Sequence, residues 1–290
     1  MASIKVKSEY KELVKLFNQL SGSRSLWQVF NDCIEMFALS IQNIFCFNQT
    51  FEKNKNRYKD IAKNYSESEF ETIVKIFAEI TNALEANPFQ DFLGDLYMQL
   101  DMGSSALGQF FTPYTVSYAM SESSFDEKNA KAELSQKGYI TVLEPTVGGG
   151  ANVIAFCEVL KNHDINYQTQ CVIVCQELSK STALMCYTAL SLIGCAAVVK
   201  IGDSLSDPYT NYFAERSKGA EIWTTPMFHI GIENCHPHRF RRTMATDALR
   251  AGMPIEQVSL MLGHEELTTT QIYARSDESD VYQAHQKYVR

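Results

Sequence analysis

The sequence predicts an α/β chain in three parts: a helical N-terminal region, a central sheet alternating with helices, and a helical tail. Three observations carry this reading. Apolar residues recur at helical spacing through about the first 104 residues. From Tyr139 short β-rich runs alternate with helical stretches, the mark of a parallel α/β sheet. From about residue 236 the spacing is helical again.

In the N-terminal region Tyr10, Leu13, Val14 and Phe17 share one helical face, and Leu26, Phe30, Ile34, Phe37 and Ile41 share another. Ser66 with Glu69, or Ser68 with Glu71, has capping-box spacing and would start a helix through Ile73, Ile76, Phe77 and Ile80. Asn87-Pro88 interrupts the pattern, and Phe92, Leu93, Leu96 and Tyr97 resume it. The expected strands are Ile140 to Leu143, Cys171 to Cys175, Ala197 to Ile201 and Glu221 to Thr224, with helices over 151–161 and 180–193.

The 290 residues suffice for one large domain or two modest ones. A hydrophobic content of 45% is that of an ordinary globular protein. The net charge of -8 gives no global attraction to nucleic acid, so any DNA binding requires a local basic patch. The eight cysteines lie mostly in apolar runs, where free cysteine packs as a small hydrophobe. On a strand Cys171 and Cys175 would hold their sulfurs more than about 12 Å apart, so no metal site is expected. With neither a signal peptide's apolar core nor an apolar run of about 18 residues, a cytoplasmic, membrane-free protein is expected.

The chemistry-bearing segment of the central region starts where the first strand ends, in Glu144-Pro145-Thr146-Val147-Gly148-Gly149-Gly150. Strand, glycine turn and helix let a backbone approach a ligand closely, with the helix N-terminus facing it. Glu177 ends the second strand, where a carboxylate can accept ribose hydroxyls. Asp203 follows the third, placed to accept from an adenine amine. With the upstream Gly108-Gln109-Phe110-Phe111-Thr112-Pro113, this constellation resembles the adenine-N6 DNA methyltransferases, particularly the modification subunits of type I restriction systems, over residues 20–228. A plain dinucleotide-binding domain would give that upstream segment no role.

The resemblance implies a Rossmann-like sheet and S-adenosylmethionine as cofactor, bound by Phe110, Thr112, Pro113, Glu144, Pro145, Gly148, Gly150, Glu177 and Asp203. It also implies methylation of adenine in DNA, with Thr225, Pro226 and Phe228 as the catalytic segment. The family carries Asn or Asp at the position of Thr225. A hydroxyl there removes a transition-state hydrogen-bond partner, a loss of about 10²–10³ in rate. Phe228 keeps an aromatic ring to stack on a flipped base. No target-recognition region is read, so a separate recognition subunit is implied as a partner beside DNA. The family adds three more strands after this segment, so the sheet is expected to be truncated, with the fourth strand at an open edge.

The tail carries a second constellation. His238 and Arg241, in His238-Arg239-Phe240-Arg241, fall one helical turn apart. His264 follows in Leu262-Gly263-His264, and Tyr273 in Ile272-Tyr273. An arginine can fork onto two oxygens of a phosphate, with histidines beside it as proton donors. Residues 236–276 resemble the C-terminal catalytic segment of phage-integrase-type tyrosine recombinases. That resemblance implies Tyr273 as nucleophile, forming a phosphotyrosine, with Arg241, His238 and His264 around the phosphate. The family draws a further arginine and a lysine from an upstream region, whose place is taken here by the methyltransferase-like sequence. The expected domains are thus 1–104, helical; 105–230, Rossmann-like; and 231–290, a recombinase remnant. An inactive DNA-binding fusion product and a recombinase completed in trans stand as alternatives to methylation.

Overall fold

Side-chain caps fix where many of the helices begin. The computed structural model describes residues 7–22, 24–44, 48–100, 111–210, 215 and 218–230. After a short 3-10 turn at Ser8–Tyr10 come α1 (Lys11–Leu20), α2 (Leu26–Gln42), α3 (Asn48–Ala62), α4 (Glu67–Ala86) and α5 (Phe92–Gln99). Ser25 caps α2 by accepting from the Gln28 N–H. Of the two capping boxes the sequence allows, Ser66 with Glu69 is the one that forms, opening α4. Asp91 caps α5 through the Gly94 N–H. The faces expected to be buried are buried: Leu13 and Phe17, Phe30 and Ile34, Ile73 and Ile76, Leu93 and Leu96.

The central part continues with α6 (Tyr114–Ser124), α7 (Glu127–Lys137), β1 (Ile140–Glu144), α8 (Ala151–Asn162), β2 (Cys171–Glu177), α9 (Lys180–Leu192), β3 (Ala196–Ile201), β4 (Glu221–Thr224) and α10 (Pro226–Ile230). Strand order is β1-β2-β3-β4. The first three strands are parallel, Ile140 beside Cys171 and Val172 beside Ala196. β4 lies at the sheet edge, antiparallel to β3, with Glu221 opposite Ile201 and Thr224 opposite Val198. This corrects the expectation of a uniformly parallel sheet. The fold is therefore a mixed α/β arrangement of helices and a small four-stranded sheet, in which β1 is paired on one side alone among the described residues.

One hydrophobic core runs through both regions. α2 packs on α9 and α6 on α8. Phe17, Phe30, Leu93 and Leu96 join the same buried cluster as Met185, Leu190, Ile173, Cys175 and Val199. Cys171, Cys175, Cys186 and Cys195 are buried within it as free thiols. Burial pushes the Cys171 thiol up, which suits a packing role. The boundary expected near residue 104 falls outside the described residues, as does the tail from residue 231. No helix among the described residues is long and apolar enough to cross a membrane.

Candidate functional site

Glu144, Glu177 and Asp203 stand at or just after the carboxyl ends of β1, β2 and β3. After β1 the chain turns through Gly148 and Gly150, whose φ angles of 57° and 107° favour glycine, and Gly150 stands at the N-cap of α8. The turn is tied to β2 by Glu177. Its Oε2 accepts the Gly148 N–H at 3.0 Å and its Oε1 accepts the Ser179 N–H at 2.9 Å. Each oxygen keeps a lone pair for a further donor. Glu144 is engaged locally, its Oε1 accepting from the Thr146 N–H and hydroxyl at 3.2 Å. Asp203 is exposed and shapes its own turn, accepting from the Leu205 N–H and the Ser206 hydroxyl, both at 2.9 Å. The Leu205 N–H, then Ser206, holds its carboxyl below the usual carboxylate range.

The segment before α6 lies against this turn. The Phe111 ring is 3.7 Å from where a Cβ on Gly148 would stand, and it meets the Tyr97 ring edge-on at 5.5 Å. Thr112 and Pro113 are exposed, and the Pro113 carbonyl accepts from Val116 and Ser117 to start α6. Tyr114 donates to Glu158 Oε2 at 2.8 Å, fastening α6 to α8. Phe110 lies outside the described residues. The chain thus brings Phe111 to the same turn that Glu177 holds at Gly148, from a separate segment of the sequence. Sequence reading held Phe111 in its motif but gave it no role in the site, and it missed the buried Asp91, because aspartate does not signal burial.

Thr225, Pro226 and Phe228 stand elsewhere, which corrects their expected placement beside the cofactor-type turn. Because β4 runs antiparallel, Thr225 reaches the amino end of β3. Its hydroxyl donates to the Cys195 carbonyl at 2.6 Å and accepts the Ala197 N–H at 2.8 Å. Ala197 is four residues from Ile201 at the carboxyl end, about 13 Å at roughly 3.3 Å per residue. Thr225 and Pro226 are buried, and Phe228 is half-buried with its N–H on the Thr225 carbonyl. Thr225 therefore reads as a latch between β3 and α10. Thr225→Val should cost about 1–3 kcal/mol by orphaning the Ala197 N–H and the Cys195 carbonyl. Urea denaturation would show it; an unchanged midpoint would contradict the latch.

The β3–β4 connection is set by a buried ion cluster. Lys200 Nζ lies 2.7 Å from Glu215 Oε2 and 2.8 Å from Asp207 Oδ2, and it donates to the Asp207 carbonyl at 2.8 Å. Glu215 Oε1 accepts from the Thr210 N–H and hydroxyl at 3.0 and 2.7 Å. Gln176, buried at the end of β2, donates to the Asp207 carbonyl at 2.9 Å and accepts the Tyr209 N–H at 2.9 Å.

The residues of the second constellation, His238, Arg241, His264 and Tyr273, lie outside the described residues, and comparison with known proteins speaks to them instead. Residues 212–280 match the model of the phage integrase family. Among curated proteins, tyrosine recombinase XerC of Pediococcus pentosaceus is 25% identical over 222 residues, covering 71% of this chain and 68% of that protein. XerC of Leptospira interrogans is 45% identical over 51 residues, 18% of this chain and 16% of that protein. A probable integrase/recombinase of Acholeplasma phage L2 is 20% identical over 164 residues, 55% of each. The chain thus spans from about a sixth to about two thirds of the length of these relatives. No solved structure matches the chain. The C-terminal part carries a segment of the phage integrase, or tyrosine recombinase, type. No relative among these is a methyltransferase.

Proposed function

We propose that this chain acts on DNA through its C-terminal segment, in the manner of a tyrosine recombinase whose remaining catalytic groups come from a second chain. The observation that carries this is the phage integrase match over 212–280, which contains His238, Arg241, His264 and Tyr273 at the spacing of that family's catalytic segment. Arg241 forks onto the non-bridging oxygens of the scissile phosphate, and His238 and His264 hydrogen-bond beside it. Tyr273 attacks the phosphorus, displacing the 5′ oxygen of the next nucleotide and leaving a 3′-phosphotyrosine. The further arginine and lysine of this chemistry come in trans, because no counterpart for them is read upstream. In a chain of net charge -8, DNA affinity rests on the local cluster His238, Arg239, Arg241 and Arg242. Replacing Arg241 and Arg242 with alanine should flatten the dependence of log K on log salt by roughly one to two, at about 0.9 per lost phosphate contact. Fluorescence anisotropy across a salt series tests this, and an unchanged slope would remove the cluster from the interface.

A second reading concerns the α/β part, and the observation favouring it is the contact of Phe111 with the glycine turn that Glu177 holds. These residues fit an adenosyl ligand: Glu177 retains lone pairs for ribose hydroxyls, and the turn presents the α8 N-terminus. S-adenosylmethionine is the ligand of this reading, and bound there it would supply an activated methyl group. The residues on hand are those of binding. Methyl transfer is not part of the proposal, because Thr225, Pro226 and Phe228 stand at the other end of the sheet.

A further inference from the structure

α3 carries its lysines on the side that the fold does not use. Asn54 and Ile61 are buried, and Asn54 donates to Gln42 Oε1 at 2.8 Å. Arg57 pairs with Glu35 at 2.7 Å, and the Tyr58 ring meets Phe70 edge-on at 6.4 Å. These contacts hold the helix to α2 and α4. Lys55, Lys59 and Lys63, at i, i+4 and i+8, share an exposed face away from them. The Lys63 N–H bonds to the Lys59 carbonyl at 3.0 Å, so the helical spacing runs on to Lys63.

Local ion pairs do not explain this stripe. Lys59 makes none among the described residues. Lys55 lies 3.9 Å from Glu52 and Lys63 lies 2.8 Å from Asp60, but these are pairs of exposed side chains, which solvent screens. Charge is also divided between neighbouring helices. Residues 48–63 hold five lysine and arginine side chains against Glu52 and Asp60, net positive in a chain of net charge -8. The exposed side of α4 carries Glu67, Glu71, Glu79 and Glu85 against Lys75. A surface that served solubility alone would intersperse the signs, whereas a stripe of one sign attracts a polyanion. From Lys55 to Lys63 the helix rises about 12 Å at 1.5 Å per residue. Over that length one strand of a duplex sets about three to four phosphates, at about 3.4 Å each.

We propose that Lys55, Lys59 and Lys63 bind the phosphate backbone of duplex DNA, in addition to the cluster His238, Arg239, Arg241 and Arg242. The inference rests on the DNA reading above. That reading is carried by residues 212–280, so the nature of the polyanion enters on an observation independent of α3.

The test is fluorescence anisotropy of the full chain on a labelled DNA duplex across a salt series. Glutamine is close to lysine in helix propensity, so the triple variant Lys55→Gln, Lys59→Gln, Lys63→Gln should retain the far-ultraviolet dichroism of the parent. It should flatten the dependence of log K on log salt by roughly two to three, at about 0.9 per lost phosphate contact. The opposite change, Glu52→Gln with Asp60→Asn, frees Lys55 and Lys63 of their acidic neighbours and should tighten binding, a gain that a damaged fold does not produce. If the parent binds DNA and the triple variant keeps its slope, or removing the two acids brings no gain, the assignment of α3 fails while the DNA reading stands. An RNA duplex of equal length bound more tightly than DNA through the same lysines would contradict DNA as the partner of α3. If the parent binds no DNA, the DNA reading fails and takes this inference with it.

Discussion

Replacing Lys200 with alanine is expected to destabilise the fold by up to about 3–5 kcal/mol, because the buried Glu215 carboxylate would keep only the half-exposed Lys218, whose Nζ lies 3.5 Å from Glu215 Oε1. The Lys200 side chain is 1% exposed and that of Glu215 0%. All three Nζ hydrogens have acceptors, in Glu215 Oε2, Asp207 Oδ2 and the Asp207 carbonyl, so little of the desolvation cost goes uncompensated. Burial opposes the Lys200 charge, but the hydrogen bonds to Asp207 and Glu215 outweigh it and hold the amine above its ordinary range. Its hydrogen bond to Lys200, then those from Thr210, lowers the Glu215 carboxyl to about 2. The contribution of Glu215 is therefore complete above the ordinary value of 4.5 and is lost as pH falls through about 2. The double variant Lys200→Met, Glu215→Leu should recover most of the loss, because removing both charges removes the unpaired one. Equilibrium denaturation of the three proteins checks this. A double variant no better than Lys200→Ala would show that the cluster matters through its hydrogen bonds to the loop rather than through charge.

Asp91→Asn is expected to act in the opposite direction and raise stability at neutral pH. The carboxyl titrates near 6 in the fold and at 3.8 when unperturbed, so folding is most favoured by this group below 3.8 and loses that advantage as pH rises through about 6. The gap corresponds to about 3 kcal/mol at pH 7. Asparagine keeps the hydrogen bond to Gly94 and carries no charge. The gain should thus be largest above pH 6 and vanish near pH 4, which melting curves at pH 4, 5.5 and 7.5 would resolve. A variant no more stable than the parent at pH 7.5 would mean that the buried carboxylate carries no net cost.

The two outcomes reflect what a sequence exposes and what it hides. Helical faces such as Ile73, Ile76 and Ile80, and strands such as Cys171–Glu177, are written in local periodicity, and they form where the pattern puts them. The glycine turn was legible for the same reason, since strand, turn and helix follow one another along the chain, but the tie of Glu177 to the Gly148 N–H was not. The direction of β4 was not legible. The connection before it is tied to the sheet by Lys200, Asp207, Glu215 and Gln176, four polar residues whose partners are known only once β2, β3 and the loop are assembled. With that direction goes the position of Thr225, which a motif reading sends to the ligand end of the sheet and the structure sends to the other. The tail was legible only through the resemblance of the segment carrying His238, Arg241, His264 and Tyr273 to tyrosine recombinases, and the family match over 212–280 encloses all four.

Trapping on DNA tests the proposed recombinase chemistry most directly. A suicide substrate, nicked so that the strand cannot be rejoined after attack, would be incubated with this chain together with a full-length tyrosine recombinase whose own tyrosine is replaced by phenylalanine. A denaturing gel should then show a covalent adduct of this chain, absent when the chain is used alone and absent in Tyr273→Phe. No adduct in the mixture, or an adduct that survives Tyr273→Phe, would contradict the assignment of Tyr273 as the nucleophile.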